Sequence, residues 1–233
     1  FHFLPGNSGK PAGENPSGSF IEKIICSPNS HVAREMVRTC IEQREQPYGL
    51  YRLGIAMHVY ADTWAHQGFA GVIHKVNDIR TLDDKGEEDE AFFAKLRSFF
   101  GDLFDRGASK FVGDTLPLGH GAALSFPDRP YLTWRYKDHR GNLIRRDNAA
   151  LFVEAAEHMC RAMQRYRLGD PDADVSGLSP EGRGIIEDQL RTITNESGDD
   201  RHAKWIAKIG EGYFGFPPVK LSYRAKGIDS WKY

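Results

Sequence analysis

The chain has 233 residues, of which 40% are hydrophobic and 27% are charged, as is usual for a globular protein. Its formal net charge of −1 supplies no global positive field, which argues against a protein that binds DNA through bulk charge. No apolar stretch reaches the roughly 18 residues of a membrane span, and the three cysteines have no metal-type spacing and indicate no disulfide framework.

The first part of the chain predicts an irregular lead-in and two helices. Residues 1–20 are rich in Pro, Gly, Ser and Asn, which favours extended and turn structure. Ser30 is the predicted N-cap of a helix whose apolar residues recur every three or four positions through Ile41. The sequence Gln-Pro-Tyr-Gly at 46–49 ends this helix, and an apolar helix is predicted over about 50–67, closed by two glycines.

The second part predicts more helices around one long connection. Residues 87–104 place phenylalanines and leucines on one side of an amphipathic helix. Residues 106–147 form a long loop rich in Gly, Pro and aromatic residues, with a small hairpin expected over 134–142. Asp147 is expected to cap a helix over 148–167, and two shorter helices follow it.

These elements predict an all-α, mainly helical fold with long ordered loops, arranged as a single domain over residues 1–233. The chain begins at Phe1 rather than Met and shows no signal-peptide pattern. We therefore expect either a removed leader or an origin in the later part of a longer protein. The pattern leaves the compartment open.

The predicted helix over 50–67 carries the most informative residues of the chain. His58, Asp62 and His66 follow one another at steps of four inside an otherwise apolar run. A step of four advances only about 40° around a helix axis, so the three side chains share one face. Imidazoles and carboxylates are costly to bury without a partner, and a divalent metal ion is an efficient one.

The spacing restricts how such a site is built. His58 and His66 lie about 12 Å apart along the axis, too far for both to bind one ion directly. The spacing favours an Asp62 carboxylate that bridges two ions, with one histidine on each side. The alternative is a hydrogen-bonded polar seam between helices, without metal.

Further ligands must come from other segments, and several residues are candidates. His120 lies between two glycines, so its backbone can approach a site closely. Asp128 follows in the same loop, and His2 lies near the start of the chain. Glu154 and His158 form another pair at a step of four, although such pairs are common on solvated helix faces.

The segment Leu-Gly-Ile-Ala-Met-His-Val-Tyr-Ala-Asp at 53–62 resembles the central helix of the zinc-dependent phospholipase C and S1/P1 nuclease superfamily. The segment 54–69, with the Gly-His and Pro-Asp-Arg-Pro-Tyr motifs within 119–131, is also similar to an uncharacterised bacterial family. The first resemblance implies an all-helical fold, a three-zinc cluster and phosphoester hydrolysis, with His58 and Asp62 as zinc ligands. The second implies additional His and Asp residues in a segment upstream of Phe1.

We therefore predict a metal-dependent hydrolase of phosphoesters, either phospholipid or nucleic acid. Its expected cofactor is zinc, as two or three ions, or another divalent metal. The predicted metal ligands are His58, Asp62, His66 and His120, with Asp62 also acting in catalysis. Arg129, or alternatively Arg135, is expected to hold a phosphate, because a guanidinium binds phosphate with two hydrogen bonds.

Two alternatives to the hydrolase stay open. One is a non-enzymatic helical module that binds a protein partner through the long loop, and the other is a bacterial effector or toxin domain. The aromatic residues Phe126, Tyr131 and Trp134 either form a wall for a lipid or a base, or pin the loop to the core. The pattern favours pinning.

Overall fold

The fold was obtained as a computed structural model that describes residues 2–79, 81–83, 123 and 125–220. The described residues are mainly helical, as predicted, and a small sheet accompanies the helices. The helices are α1 (Phe20–Ile24), α2 (His31–Glu42), α3 (Gly49–Ala65), α4 (Asn148–Leu168), α5 (Pro180–Thr192) and α6 (Gly198–Gly210). The strands are β1 (Thr81–Asp83), β2 (Thr133–Lys137) and β3 (Leu143–Asp147).

The starts of α2 and α4 confirm the predicted caps Ser30 and Asp147, and the structure shows a third cap, Ser179, at α5. The side chains of Ser30, Asp147 and Ser179 each accept a hydrogen bond from a backbone N–H in the first turn of α2, α4 and α5. Helix α3 ends two residues earlier than predicted. Its C-cap is His66, whose N–H still donates to the Asp62 carbonyl, and the following turn contains Gly68 at a φ of 84°.

Helices α2, α3 and α4 pack together around the main hydrophobic core. Trp64 of α3 is fully buried there, and Tyr60 lies one turn before it. The buried members of the core are Ala33, Val37, Ile41, Met57, Tyr60, Trp64, Ala155, Ala162 and Tyr166. This packing fixes the rotation of α3 and turns the face with His58 and Asp62 away from the core.

The sheet has the antiparallel order β1-β2-β3. The β2–β3 hairpin confirms the expectation for residues 134–142, whereas the sequence pattern did not predict β1. Trp134 lies opposite Arg146 and Tyr136 lies opposite Ile144. A second hydrophobic cluster joins the sheet to the end of α3, with Phe69, Ala123, Phe126, Trp134 and Tyr136 as its buried members.

The lead-in is irregular, as predicted, apart from a short 3-10 helix at Asn7–Gly9. It is tied to the rest of the chain at Pro5, which forms an antiparallel bridge with Cys26. The Gly6 N–H donates to the Ile25 carbonyl at 2.9 Å, and the Cys26 N–H donates to the Phe69 carbonyl at 2.8 Å. The lead-in therefore runs beside the turn that ends α3.

Two predictions fall on residues that the structure does not describe. These are the amphipathic helix over 87–104 and the metal ligand His120. Among the described helices, none combines the length and the apolar content required to cross a bilayer.

Candidate metal centre

Helix α3 places its three polar residues on one face, with Asp62 in the middle. The Asp62 Oδ2 atom lies 3.4 Å from Nε2 of His58. The other oxygen, Oδ1, lies 3.5 Å from Nε2 of His66. One carboxylate therefore faces a different histidine with each of its oxygens, which is the arrangement expected from the spacing of four.

A third histidine reaches the same carboxylate from the start of the chain. His2 Nδ1 lies 2.8 Å from Asp62 Oδ2, a hydrogen-bonding distance. The His2 ring is 5.3 Å from the His58 ring and 5.8 Å from the His66 ring, measured between centroids. His2, Asp62 and His66 each offer a ligand atom, and these three atoms lie within 4.8 Å of one another.

Backbone pairing and packing hold His2 in this position. Phe3 packs against the second hydrophobic cluster, and its ring lies 5.0 Å from the His66 ring. A Cβ at Gly71 would come within 3.1 Å of the Phe3 side chain, so a glycine gives Phe3 its room. His2 was only a secondary candidate from the sequence. The contact between His2 and Asp62 joins residues 60 positions apart, which no local pattern predicts. The one weak signal in the sequence was a histidine next to aromatic residues in an otherwise irregular segment.

The long loop adds a second carboxylate to the centre. Asp128 Oδ1 lies 3.8 Å from Nε2 of His66. Asp128 follows Phe126 and Pro127, both of which are buried, so the loop is anchored just before the carboxylate. The carboxylate itself is about half exposed. The described site therefore draws on three segments, namely the lead-in, α3 and the long loop.

The centre is open on one side and closed on the other. The side chains of His2 and His58 are each 58% exposed, whereas that of His66 is 3% exposed. Burial raises the pKa of Asp62, but hydrogen bonding to His66, the charges of His66 and His58, and the hydrogen bond of His2 together hold it below its ordinary value. The Asp62 carboxylate is therefore ionised at neutral pH.

Arg146 supports the turn that carries His66. Its guanidinium donates to the backbone carbonyls of Ala65 and Gln67, the residues on either side of His66. It also donates to the Tyr136 hydroxyl at 3.1 Å. The same group lies 5.5–5.6 Å from the ring centroids of three aromatic residues, Phe69, Trp134 and Tyr136. Arg146 is 5% exposed and forms no ion pair among the described residues.

The pair Glu154 and His158 lies elsewhere, on α4. Glu154 is exposed, and the His158 ring packs 5.2 Å from the ring of Trp64, on the core side of α3. Burial lowers the pKa of His158. This pair is therefore not brought to Asp62. His74 also lies apart, where its Nδ1 accepts a hydrogen bond from the Val76 N–H.

The two arginines predicted to bind phosphate lie in the long loop and in β2. Arg129 follows Asp128 directly, and its Nε donates to Ser125 Oγ at 3.0 Å within the same turn. Arg135 lies in β2, opposite Arg145 of β3. The structure gives neither arginine a hydrogen bond or ion pair with Asp62.

The loop aromatics pin the loop to the core, as the sequence favoured. Trp134 is 2% exposed and donates from Nε1 to Asn148 Oδ1, and Phe126 is 8% exposed. Their rings meet edge to face at 5.6 Å. The alternative of a substrate wall is wrong for these two residues because both are buried. Tyr131 is half-buried.

The donor set fits a divalent transition metal. Zinc binds imidazole nitrogen and carboxylate oxygen at about 2.0–2.2 Å, which separates tetrahedral ligands by about 3.4 Å. The three ligand atoms, already within 4.8 Å of one another, need only small side-chain movements to meet this spacing.

Residues 1–233 match the family described as "Family of unknown function (DUF6765)". The chain belongs to this family. No curated protein and no solved structure matches the chain.

Proposed function

We propose that this DUF6765 protein is a metal-dependent hydrolase of phosphoesters. Its metal centre is built on Asp62, with His2, His58 and His66 as nitrogen donors. The observation that carries the proposal is the convergence of His2, Asp62 and His66, which come from two segments 60 residues apart. A family of unknown function neither supports nor opposes the activity.

The two-sided use of Asp62 supports a bridging role. Oδ2 faces His2 and His58, whereas Oδ1 faces His66. A carboxylate with donors on both sides suits a centre with two ions about 3.5–4 Å apart. Asp128, on the His66 side, places a second carboxylate beside this end of the centre.

Solvent access favours a metal centre over a structural seam. A polar seam between helices stabilises a fold when it is enclosed and fully hydrogen-bonded. Here two of the three imidazoles are more than half exposed, and only His66 is enclosed. An open, preorganised cluster beside a buried anchor is typical of a site that receives a ligand from solvent.

Each residue has a definite task in this proposal. When bound, zinc or a similar ion polarises a phosphoryl oxygen and lowers the pKa of water toward neutrality. Asp62 holds negative charge at the centre, and the buried His66 fixes the position of the carboxylate on the Oδ1 side. Asp128, half exposed next to His66, is placed to accept a proton from water. Arg129 is proposed to orient the phosphate, since a guanidinium pairs with two phosphate oxygens.

The resemblance of residues 53–62 to the phospholipase C and S1/P1 nuclease superfamily supports the same reaction class. We propose a related helical architecture, in which α3 is the central metal-binding helix. The mainly helical fold and the apolar packing of α3 are consistent with this relation. The proposed substrate is a phospholipid or a nucleic acid.

The test is metal content followed by activity. Full-length protein without an affinity tag is purified, and its metals are counted by mass spectrometry. We expect stoichiometric zinc or another transition metal. Asp62→Asn and His66→Ala should lose it, whereas His202→Ala, an exposed histidine on α6, should retain it. Activity is measured with bis(p-nitrophenyl) phosphate, phosphatidylcholine vesicles and single-stranded DNA.

The outcomes separate the proposal from the structural seam. A protein that contains no metal, gains no thermal stability from added zinc and cleaves none of the three substrates is a non-enzymatic module. Full metal content in both Asp62→Asn and His66→Ala would remove the ligand assignment. Metal binding without cleavage would retain the centre but refute the hydrolase.

A further inference from the structure

A second polar cavity lies on the other side of α3, with a volume of about 840 Å³. Helices α2 and α4 line it, together with Tyr60 of α3, Pro11 of the lead-in and the turn at Pro171 and Asp172. Its volume lies in the range of about 300–1,000 Å³ that is common for small-molecule sites. None of the residues proposed for the metal centre lines it.

Two pairs of arginines face this cavity, one pair from each helix. Arg34 and Arg38 lie one turn apart on α2, and Arg161 and Arg165 lie one turn apart on α4. Like charges at a spacing of four destabilise a helix, so two such pairs across one cavity require compensating negative charge. The lining contains three carboxylates, Glu35, Glu157 and Asp172, against these four guanidiniums.

Two of the arginines are neutralised within the protein. Arg38 binds both carboxylate oxygens of Asp172, and its Nη1 lies 2.9 Å from Oδ2. Arg161 Nε donates to Glu157 Oε1 at 2.7 Å. These two ion pairs account for two of the three lining carboxylates.

Among the described residues, the other two arginines donate hydrogen bonds only to backbone carbonyls, although the charge of Arg165 also acts on the Asp172 carboxylate. Arg34 Nη1 donates to the Asn29 carbonyl at 3.0 Å, and Arg165 Nε donates to the Ala173 carbonyl at 3.0 Å. A guanidinium has five N–H donors. Arg34 and Arg165 therefore bring positive charge and spare donors to the cavity from opposite helices.

The wall between these two arginines is polar as well. The Tyr60 hydroxyl lies there and donates to Asn29 Oδ1 at 2.7 Å. Burial raises the pKa of Tyr60 to about 12, while the charges of Arg34 and Arg165 act in the opposite direction. The Tyr60 side chain therefore adds a polar group to the same cavity lining as the two arginines.

We propose that this cavity binds a small molecule that carries a phosphate group, with Arg34 and Arg165 as its principal ligands. A phosphate presents several acceptor oxygens and up to two negative charges, which match a pair of guanidiniums with unused donors. The cavity is larger than inorganic phosphate, so the rest of the ligand has room beside Tyr60 and His158. This site is independent of the metal centre.

The test is calorimetric titration of the purified full-length protein with inorganic phosphate and with pyrophosphate. We expect saturable binding, with pyrophosphate the tighter ligand because it carries more charge. Arg34→Gln and Arg165→Gln should each weaken binding by about tenfold, the equivalent of one charge-assisted hydrogen bond. The matched control is Arg167→Gln, an exposed arginine of α4 that does not line the cavity.

Asp62→Asn separates this cavity from the metal centre, because metal-bound phosphate is lost in that variant and phosphate bound by arginine is not. Retained binding in Asp62→Asn and weakened binding in Arg34→Gln would support the proposal. Either the absence of saturable binding in the unsubstituted protein or its loss in Asp62→Asn would overturn it. Equal binding by Arg34→Gln, Arg165→Gln and Arg167→Gln would also overturn it. Thermal melts of every variant establish that each is folded.

Discussion

Replacing Arg146 with methionine tests whether this arginine supports the turn that carries His66. Arg146 is 5% exposed, and it joins β3 to the turn at the end of α3 through the carbonyls of Ala65 and Gln67. Methionine retains an unbranched apolar side chain but removes the charge and every donor. Arg146→Met therefore breaks the hydrogen bonds while it leaves most of the apolar packing in place.

The expected loss of stability follows from these contacts. Three hydrogen bonds from a charged donor contribute about 1.5 kcal/mol each at the low end of their range. Part of this is offset, because the buried cation loses hydration and has no carboxylate partner among the described residues. We expect a net loss of about 3 kcal/mol in the free energy of unfolding, or about 6–12 °C in Tm for a chain of this size.

The assay is urea denaturation followed by circular dichroism, with Arg145→Met as the matched control. Arg145 is the preceding residue of β3, and its side chain is exposed on the other face of the strand. An exposed arginine of this kind should change stability by no more than about 0.5 kcal/mol. A loss in Arg146→Met no larger than that of the control would refute the assigned role in stability.

The same variant tests whether Arg146 positions His66. Outer partners of metal ligands typically contribute about 10–100-fold to metal affinity. We expect Arg146→Met to weaken zinc binding by at least tenfold, measured by competition with a chelator at a temperature where the variant is folded. Zinc affinity equal to that of Arg145→Met would show that Arg146 stabilises the fold without positioning the ligand.

Three further predictions concern a helix cap, the cysteines and the lead-in. Burial raises the pKa of Asp147, but its hydrogen bonds to Arg191 and to the helix backbone hold the pKa below its ordinary value. The ionised carboxylate therefore stabilises the fold above about pH 3.9, and this contribution is lost as the pH falls through the folded pKa. In urea denaturation, Asp147→Asn keeps a capping oxygen and should lower the free energy of unfolding by less than about 1 kcal/mol. Asp147→Ala should lower it by about 1 kcal/mol more, and equal losses in the two variants would contradict the capping role. Cys160, which is half-buried, should react with a thiol reagent before the two buried cysteines, and mass spectrometry of the labelled peptides would reveal any other order. A Cβ at Gly6 would lie 2.6 Å from a serine Oγ, so Gly6→Ala should cost about 1–3 kcal/mol in thermal melts and weaken metal binding, whereas Gly13→Ala, with open space around it, should do neither.

Features set by short-range interactions were predictable from the sequence. Ser30 and Asp147 cap their helices because a side-chain oxygen reaches a backbone N–H only three residues away. The shared face of His58, Asp62 and His66 follows from the helical repeat alone. Such features depend on neighbours within one or two turns, and the chain specifies them before any tertiary contact forms.

Features set by long-range contacts were not predictable in this way. His2 reaches Asp62 because Pro5 pairs with Cys26 and because Phe3 packs against the second hydrophobic cluster. The sequence alone does not distinguish the neighbours Arg145 and Arg146, but a strand sends alternate side chains to opposite faces. Arg145 is therefore exposed and Arg146 is buried. Predicting this difference requires knowing where the strand lies and which of its faces meets the core.

The two faces of α3 explain how one helix can serve two different sites. Asp62 and Tyr60 are separated by about 160° around the helix axis, because each residue turns the chain by about 100°. Burial of Tyr60 and Trp64 between α2 and α4 anchors one face, so the opposite face can carry polar residues without loss of core packing. The ionised Asp62 then lies on the polar face beside the exposed His2 and His58, where its negative charge needs a positive partner. A divalent metal ion, bound as proposed, would supply that positive charge directly to the carboxylate.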